Sequence, residues 1–221
     1  IIWSKSFGDN TLIDYFSAGL IADDGSIYAL GYTIGFSTAG SIYLVKFDSD
    51  GNIIWEKAYD TASSDQGMGL VKAGSTDLVI ASENGVGLKV DQNGVIIWQK
   101  KFASCTFNGV TATSDGGFVF SGTKAAEMLL IKVNAAGTLQ WAKTYGATGN
   151  ELGHFVVEGN DGSLYAIGEK TYVLPGSSPP TTSTRRLRSP PRSRPSRCPT
   201  GSAACNDCGG RIPTSPRSFL T

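Results

Sequence analysis

The sequence predicts an all-β fold assembled from one repeated unit, and three features of the 221-residue chain support this. All four tryptophans lie in the same short context, Trp-x-Lys-x-aromatic. Asp-Gly pairs recur between short apolar runs, and such a pair indicates a β-hairpin because both of its residues tolerate positive φ. No stretch shows the period of an amphipathic helix. The chain is therefore expected to form a series of small antiparallel sheets.

The first strand of each repeat carries the tryptophan. It follows an apolar pair such as Ile53-Ile54 or Ile96-Ile97, and an aromatic residue comes two positions after the lysine. The tryptophans are 52, 43 and 43 residues apart, and four-stranded propeller blades repeat roughly every 40 to 50 residues. The spacing therefore indicates one blade per tryptophan. The four residues are Trp3, Trp55, Trp98 and Trp141.

The second and third strands of each repeat are predicted to form a hairpin. Asp24-Gly25, Asp115-Gly116 and Asp161-Gly162 each stand three residues before an apolar strand that ends at a glycine. The second repeat departs from this pattern, because it offers Ser75-Thr76-Asp77 in place of Asp-Gly. All four repeats are still expected to turn here, since Ser, Asp and Gly favour turns.

A strand with a lysine near its end, which we call the lysine strand, completes each unit. It is clear in Ile42–Phe47 and Met128–Val133, and weaker in Gly85–Val90. These strands are apolar on both faces, as expected when a neighbouring sheet covers each face. We therefore predict a partial β-propeller of about four four-stranded blades, the last of them incomplete. The predicted repeats span residues 1–52, 53–95, 96–138 and 139–174.

The order of these motifs resembles the repeats of large bacterial and archaeal β-propeller proteins, which are often exported. The Gly-x-x-x-Trp spacing is also similar to the tryptophan docking motif of pyrroloquinoline-quinone-type propellers. Here the turn is one residue shorter and lacks the threonine of that motif, so the resemblance implies a related architecture and not a shared chemistry. The spacing is found from Gly51 to Trp55, from Gly94 to Trp98 and from Gly137 to Trp141.

The composition of the chain changes sharply near residue 175. Residues 1–176 hold 18 acidic residues and all 11 lysines, a net charge of about −7, whereas the remainder holds all eight arginines and about +7. All nine prolines also lie at Pro175 or beyond. Such an Arg, Ser and Pro-rich stretch buries too little apolar surface to offset the entropy of ordering. We therefore predict a β-propeller fragment over residues 1–174 and a disordered tail over 175–221.

Three explanations of this tail are open. The change falls inside a predicted blade, where a lysine strand and a fifth tryptophan should follow, so the leading hypothesis is a shifted reading frame or a junction with foreign sequence. A genuine disordered linker is the second. The third, a basic arm that binds nucleic acid, lacks interleaved aromatic residues for base stacking. No nucleic-acid partner is therefore expected.

The tryptophans are the only site residues that the sequence singles out. A residue present once per blade at a fixed position is predicted to be a packing anchor between blades, in preference to a platform for stacking sugar rings. Other polar candidates have simpler interpretations. His154 and Cys105 are expected to be packing or surface residues, and Asp48–Asn52 a turn in place of a calcium loop. Zinc is not expected at Cys198, Cys205 and Cys208, which lack a fourth nearby ligand.

These observations favour a non-catalytic propeller scaffold. The sequence predicts no catalytic, metal or cofactor site, and no membrane span. We expect part of a larger exported or cell-surface protein, in which further blades follow and a protein or glycan partner binds at the blade-top loops or the central funnel. The alternatives are a propeller enzyme such as a quinone-dependent dehydrogenase, and an intracellular assembly platform, although the Trp-Asp and Gly-His signatures of WD repeats are absent. Expressed alone, the chain is expected to self-associate.

Overall fold

The computed structural model describes residues 4–5, 13–35, 40–61, 64–146 and 149–171, together with the backbone of 181–187. The chain divides into two compact units, Ile1–Ser189 and Pro190–Thr221. Every described residue belongs to the first unit. The prediction of a disordered tail concerns residues that, apart from 181–187, lie outside the described part of the chain.

The described residues form antiparallel sheets and contain no helix, as the sequence predicts. Three sheets have four strands and the last has three, in the orders β1-β2-β3-β4, β5-β6-β7-β8, β9-β10-β11-β12 and β13-β14-β15. We call them blades 1 to 4. The strands are β1 Asp14–Ile21, β2 Ile27–Thr33, β3 Ser41–Phe47, β4 Ile53–Tyr59, β5 Gly67–Ala73, β6 Asp77–Ser82, β7 Val86–Val90, β8 Ile96–Lys101, β9 Thr106–Ala112, β10 Phe118–Lys124, β11 Glu127–Val133, β12 Leu139–Tyr145, β13 Asn150–Glu158, β14 Leu164–Thr171 and β15 Thr181–Leu187.

The Asp-Gly turns close the β1-β2, β9-β10 and β13-β14 hairpins, as predicted. Gly25, Gly116 and Gly162 adopt φ of 81°, 79° and 73°, a conformation that costs glycine little. The second repeat also forms a hairpin without the Asp-Gly pair, because Gly74 supplies the positive φ of 76° immediately before Ser75. The β5-β6 turn therefore forms although the Asp-Gly pair that marks the other three hairpins is missing.

The blades are offset by one strand from the repeats predicted over residues 1–52, 53–95, 96–138 and 139–174. The tryptophan strand is the last strand of a blade and not the first, so that β4 pairs with β3 and β8 pairs with β7. The reason is the short Asp-x-x-Gly turn, which can only join neighbouring antiparallel strands of one sheet. The connection from a tryptophan strand to the next strand is therefore the link between blades.

Apolar side chains pack between consecutive blades in three separate clusters. Leu30, Leu44 and Ile80 are fully buried between blades 1 and 2. Phe107 and Phe120 belong to the cluster between blades 2 and 3, where their rings stack with centroids 4.9 Å apart. A third cluster lies between blades 3 and 4. Since each blade packs on the next, burial of both faces of the middle strands follows directly.

The first strands of the blades form the inner side of the arrangement. β1 contacts β5, β5 contacts β9, and β9 contacts β13, so these strands follow one another around a shared centre. The tryptophan strands β4, β8 and β12 are consequently at the outer edge. This sequential packing of small sheets confirms the predicted β-propeller arrangement.

Blade 4 contains a third strand that the sequence does not indicate. The backbone of β15 pairs with β14, with Arg186 opposite Tyr165. The lysine strands place Lys46 opposite Tyr28 and Lys132 opposite Val119 in the same register. The sequence suggests no lysine strand in this repeat, because the Arg, Ser and Pro-rich composition around β15 obscures it. Backbone pairing itself requires only a segment free of proline.

No helix among the described residues has the length and apolar character required to cross a membrane.

Candidate functional site: the tryptophan and inner strands

Trp55 and Trp98 each reach from the outer strand of one blade to the turn of the next. The indole Nε1 of Trp55 donates to the carbonyl of Gln92 at 3.2 Å, and that of Trp98 donates to the carbonyl of Ala135 at 3.1 Å. In both cases the acceptor lies 37 residues further along the chain. The two tryptophans therefore make the same contact between consecutive blades.

A glycine in each turn makes room for the indole. Gly94 and Gly137 both have positive φ, and a Cβ built on Gly137 would lie 2.8 to 3.1 Å from three atoms of the Trp98 ring. The same construction on Gly94 places a Cβ 3.1 Å from the ring of Trp55. In the motif from Gly94 to Trp98, the glycine thus contacts the tryptophan of the preceding blade, Trp55. The tryptophan contacts the turn glycine of the following blade, Gly137.

The other two tryptophans are less fully described. Trp141 packs partly buried against the cluster between blades 3 and 4, with the Lys143 ammonium 5.4 Å from its ring centroid. The turn that would receive it, and Trp3, both fall outside the described residues. The stabilising role assigned to the four tryptophans stays a prediction, and its test is given in the Discussion.

Each inner strand carries a β-bulge at the same position. The strand register shifts around one extra residue in each of the four blades. A glycine two residues before the end of the neighbouring strand, and not at its end as the sequence suggests, permits this close approach. A Cβ on Gly31 would lie 1.8 Å from the carbonyl oxygen of Tyr15, and a Cβ on Gly122 would lie 1.8 Å from that of Thr106. The bulged residues are Ser17, Met68, Asn108 and His154.

Two of the bulged side chains bind the next blade through hydrogen bonds. Ser17 Oγ donates to the carbonyl of Gly67, and Asn108 Nδ2 donates to the carbonyl of Gly153 at 2.7 Å. Each acceptor is the residue immediately before the bulge of the following blade. Met68 carries no donor, so the equivalent bond is not possible between blades 2 and 3. A bulge commonly redirects a side chain, and here it directs a polar group at a neighbouring sheet.

Asp48 and its counterparts hold the turns after the lysine strands. Asp48 Oδ1 accepts from the backbone nitrogens of Asp50 at 2.9 Å and Asn52 at 2.8 Å. Asp91 and Asn134 accept two backbone N–H groups in the same pattern. Hydrogen bonds from the Asn52 side chain and backbone lower the pKa of Asp48. Because Asn134 serves equally well, the geometry requires an acceptor oxygen and not a charge.

A lysine–aspartate pair closes the Asp-Gly hairpin of blade 3. Lys132 Nζ lies 2.6 Å from Asp115 Oδ1 and also contacts Thr113 Oγ1. Burial opposes ionisation of Asp115, but the hydrogen bonds from Lys132, Thr113 and Gly117 outweigh it and lower the pKa of Asp115 to about 2. The lysine of the lysine strand is thus explained by a turn carboxylate in its own blade.

We predict that Lys132→Met raises the pKa of Asp115 toward the ordinary aspartate value of about 3.9. In the wild type the folded-state pKa is depressed, so the stabilisation is present above about pH 4 and is lost as the pH falls toward 2. Carboxyl NMR titration measures the shift, and acid unfolding should become less steep in the variant over this range. Lys143→Met, which removes an ammonium lying over Trp141, is the control and should leave Asp115 unchanged.

Neither His154 nor Cys105 is placed in a recognisable catalytic arrangement. His154 lies on β13, as predicted, with Nε2 3.8 Å from Glu169 Oε2. Cys105 Sγ donates to the carbonyl of Phe102 at 3.3 Å, and burial raises the pKa of its thiol to about 11. Its reactive thiolate form is therefore disfavoured near neutral pH.

Within the described ranges, no three His, Cys, Asp or Glu side chains lie together as metal ligands would. Cys198, Cys205 and Cys208 are outside those ranges.

Sequence reasoning did not identify the bulged residues as contacts between blades. The available signal was the glycine shared by three of the hairpins, at Gly31, Gly122 and Gly168. It marks the place where two backbones approach closely, which is the usual reason for a glycine inside a strand. Which side chain the bulge redirects, and toward what, depends on the neighbouring blade and cannot be read from one repeat.

Comparison with solved structures agrees with this description of the fold. The WD40 β-propeller domain of Doa1 matches with a TM-score of 0.54 and 11% identity, covering 68% of this chain and 47% of that one. The WD40 domain of Neurospora crassa Pan2 matches with a TM-score of 0.54 and 13% identity, covering 78% and 48%. These similarities define the chain as a β-propeller, and it spans about half the length of either domain.

A protein of unknown function from Bacteroides caccae is also similar, with a TM-score of 0.48 and 11% identity over 72% of this chain and 58% of that one. No protein-family model matches the sequence, and no curated protein does.

Proposed function

We propose that the chain is a non-catalytic scaffold that binds a protein partner. The observation that carries this proposal is a rim of exposed branched aliphatic side chains at the start of the outer strands β4, β8 and β12. We call it the isoleucine rim. It consists of Ile53, Ile54, Val95, Ile96, Ile97 and Leu139, each between 45% and 58% exposed.

The rim lies where a partner can add a strand. An edge strand presents one row of backbone N–H and C=O groups away from its own sheet, and proteins usually protect it with charged residues. The second half of each outer strand is protected in this way, by Lys57 in blade 1 and Lys100 in blade 2, both exposed. The first half is apolar instead. An extended apolar segment of a partner would pair with this part of the edge and cover the rim.

The inner strands support the non-catalytic part of the proposal. Propeller enzymes need a set of functional side chains around the centre, and the bulges would be a natural place for them. Two of the four bulged residues, Ser17 and Asn108, instead donate to the carbonyls of a neighbouring blade. Their hydrogen-bonding capacity serves the contact between blades.

The experiment compares partner recovery by the wild-type chain and by an Ile54→Glu, Ile97→Glu variant. Loss of two isoleucines that the bound partner would cover is expected to weaken binding at least about tenfold, which is about 1.4 kcal/mol. Quantitative cross-linking mass spectrometry in an extract of the source cells measures recovery. Thr76→Glu, a charged change at an exposed hairpin position, is the matched control. Unchanged recovery with the rim variant, or a stoichiometric quinone or metal in the purified chain, would contradict the proposal.

A further inference from the structure

Among the described residues, no blade covers one face of blade 4, although this face has the features of a contact between blades. We call the face toward the following blade the trailing face, and the opposite one the leading face. On the trailing face of blade 1, Ala18 and Leu20 pack into the cluster shared with blade 2. They stand one and three residues after the bulge at Ser17. Trailing-face positions can therefore be aligned by counting from the bulge.

The same positions in blade 4 are Phe155 and Val157, counted from the bulge at His154. They are 62% and 50% exposed. In blade 2 the corresponding Val71 packs against the cluster shared with blade 3. Two large apolar side chains thus project from positions that pack against the following blade in blades 1 and 2.

The polar component of a blade contact is also present on this face. His154 is the bulged residue of blade 4, the position from which Ser17 and Asn108 donate to the next blade. An imidazole always carries at least one N–H donor. The acceptor in the established contacts is the carbonyl of the residue before the following bulge, which is Gly67 or Gly153.

The leading face of blade 1 offers the complementary half. Its carbonyl at the acceptor position belongs to Phe16, directly before the bulge at Ser17. Ile21, four residues after the bulge, is 69% exposed. Lys72 and Glu158, which stand four residues after the bulges of blades 2 and 4, each bind the preceding blade. Lys72 contacts Asp23 at 2.5 Å, and Glu158 accepts from the backbone of Ser114 at 2.5 Å. The chain therefore carries both halves of a contact between blades: the apolar packing that its own blades make three times and the bulge hydrogen bond that they make twice.

We propose that the trailing face of blade 4 binds the leading face of blade 1 of a second copy of this chain. Phe155 and Val157 pack beneath the second copy's inner strand, and His154 donates to its Phe16 carbonyl. The contact is head-to-tail, because two different surfaces meet. Two such contacts made at once would place eight blades in one ring, within the roughly four to eight blades of known propellers.

Sedimentation velocity on the full chain over a range of concentrations tests this. The wild type is expected to associate, while a trailing-face variant (Phe155→Asp, Val157→Asp) and a leading-face variant (Ile21→Asp) should each need at least tenfold higher concentration. An equimolar mixture of the two variants should associate again, because it restores one intact pair of faces. Thr76→Asp is the control, since this exposed residue lies in the β5-β6 hairpin of blade 2, outside both proposed faces, and should not alter association.

A second measurement does not depend on the folding of these variants. A photo-cross-linking amino acid at position 155 of the full chain is expected to link to residues 16–21 of another copy. A link between two copies of residue 155 would mean that like faces meet, and would overturn the proposal. A wild-type chain that stays monomeric would overturn it as well and would leave a blade of another polypeptide as the occupant. So would a mixture of variants that fails to associate.

Discussion

Replacing Trp98 with alanine is expected to lower the free energy of unfolding by about 3 to 5 kcal/mol. The side chain is 9% exposed and belongs to the cluster between blades 2 and 3. Its ring lies against the turn glycine Gly137 and is tilted on Phe118 with centroids 6.4 Å apart. Truncation leaves a cavity that two sheets would have to close together, so little relaxation is available. Chemical denaturation followed by circular dichroism measures the loss.

Two further substitutions separate the parts of this effect. Trp98→Phe keeps an aromatic ring but removes the hydrogen bond to Ala135, whose net worth is about 1 kcal/mol. Trp55→Ala should cost less than Trp98→Ala, because Trp55 is more exposed. A Trp98→Ala variant that keeps wild-type stability but loses binding of a sugar would show that the indole is a ligand platform.

Replacing Gly122 with alanine is expected to lower the free energy of unfolding by about 3 kcal/mol or more. This is the upper end of the range for adding a methyl group to a packed site. The new Cβ would lie 1.8 Å from the carbonyl oxygen of Thr106 and 2.9 Å from the Cα of Phe107. Both are backbone atoms of the inner strand, so no side-chain rotation relieves the clash. The bulge at Asn108 would have to move, and its hydrogen bond to Gly153 with it.

Gly116→Ala in the same blade is the control for this prediction. Gly116 has φ of 79° and nothing within 4 Å of the added Cβ, so the substitution reports only the backbone cost of about 1 to 2 kcal/mol. If the two alanine variants were equally stable, the close approach of the backbones at the bulge would not be the cause of the loss of stability in Gly122→Ala. Thermal unfolding of the two variants beside the wild type gives the comparison.

The local elements of the fold could be predicted because their signals lie close together in sequence. Apolar alternation places the strands, and Asp-Gly pairs place three of the hairpins. The recurrence of tryptophan predicts the sequential blades, since Trp55, Trp98 and Trp141 lie in the last strands of blades 1, 2 and 3. Where a blade begins could not be predicted, because a repeat has no intrinsic starting point and only the pairing of β3 with β4 sets it.

The contacts between blades could not be predicted from one repeat. Ser17 and its acceptor Gly67 are 50 residues apart, and Asn108 and Gly153 are 45 apart. The four bulged residues share no side-chain chemistry, so nothing in the sequence groups them. Their equivalence depends on strand register, which becomes visible only when the sheets are formed.

By itself the sequence determined the strands, the turns and the sequential blades of this protein, because each depends on apolar periodicity and backbone conformation within a few residues. The tertiary structure alone decided which strand closes each blade, which side chains bridge blades, and that Phe155 and Val157 are left exposed at the end of the series. These features arise where surfaces distant in the chain meet, and the free energy of such contacts depends on geometry that no local pattern specifies.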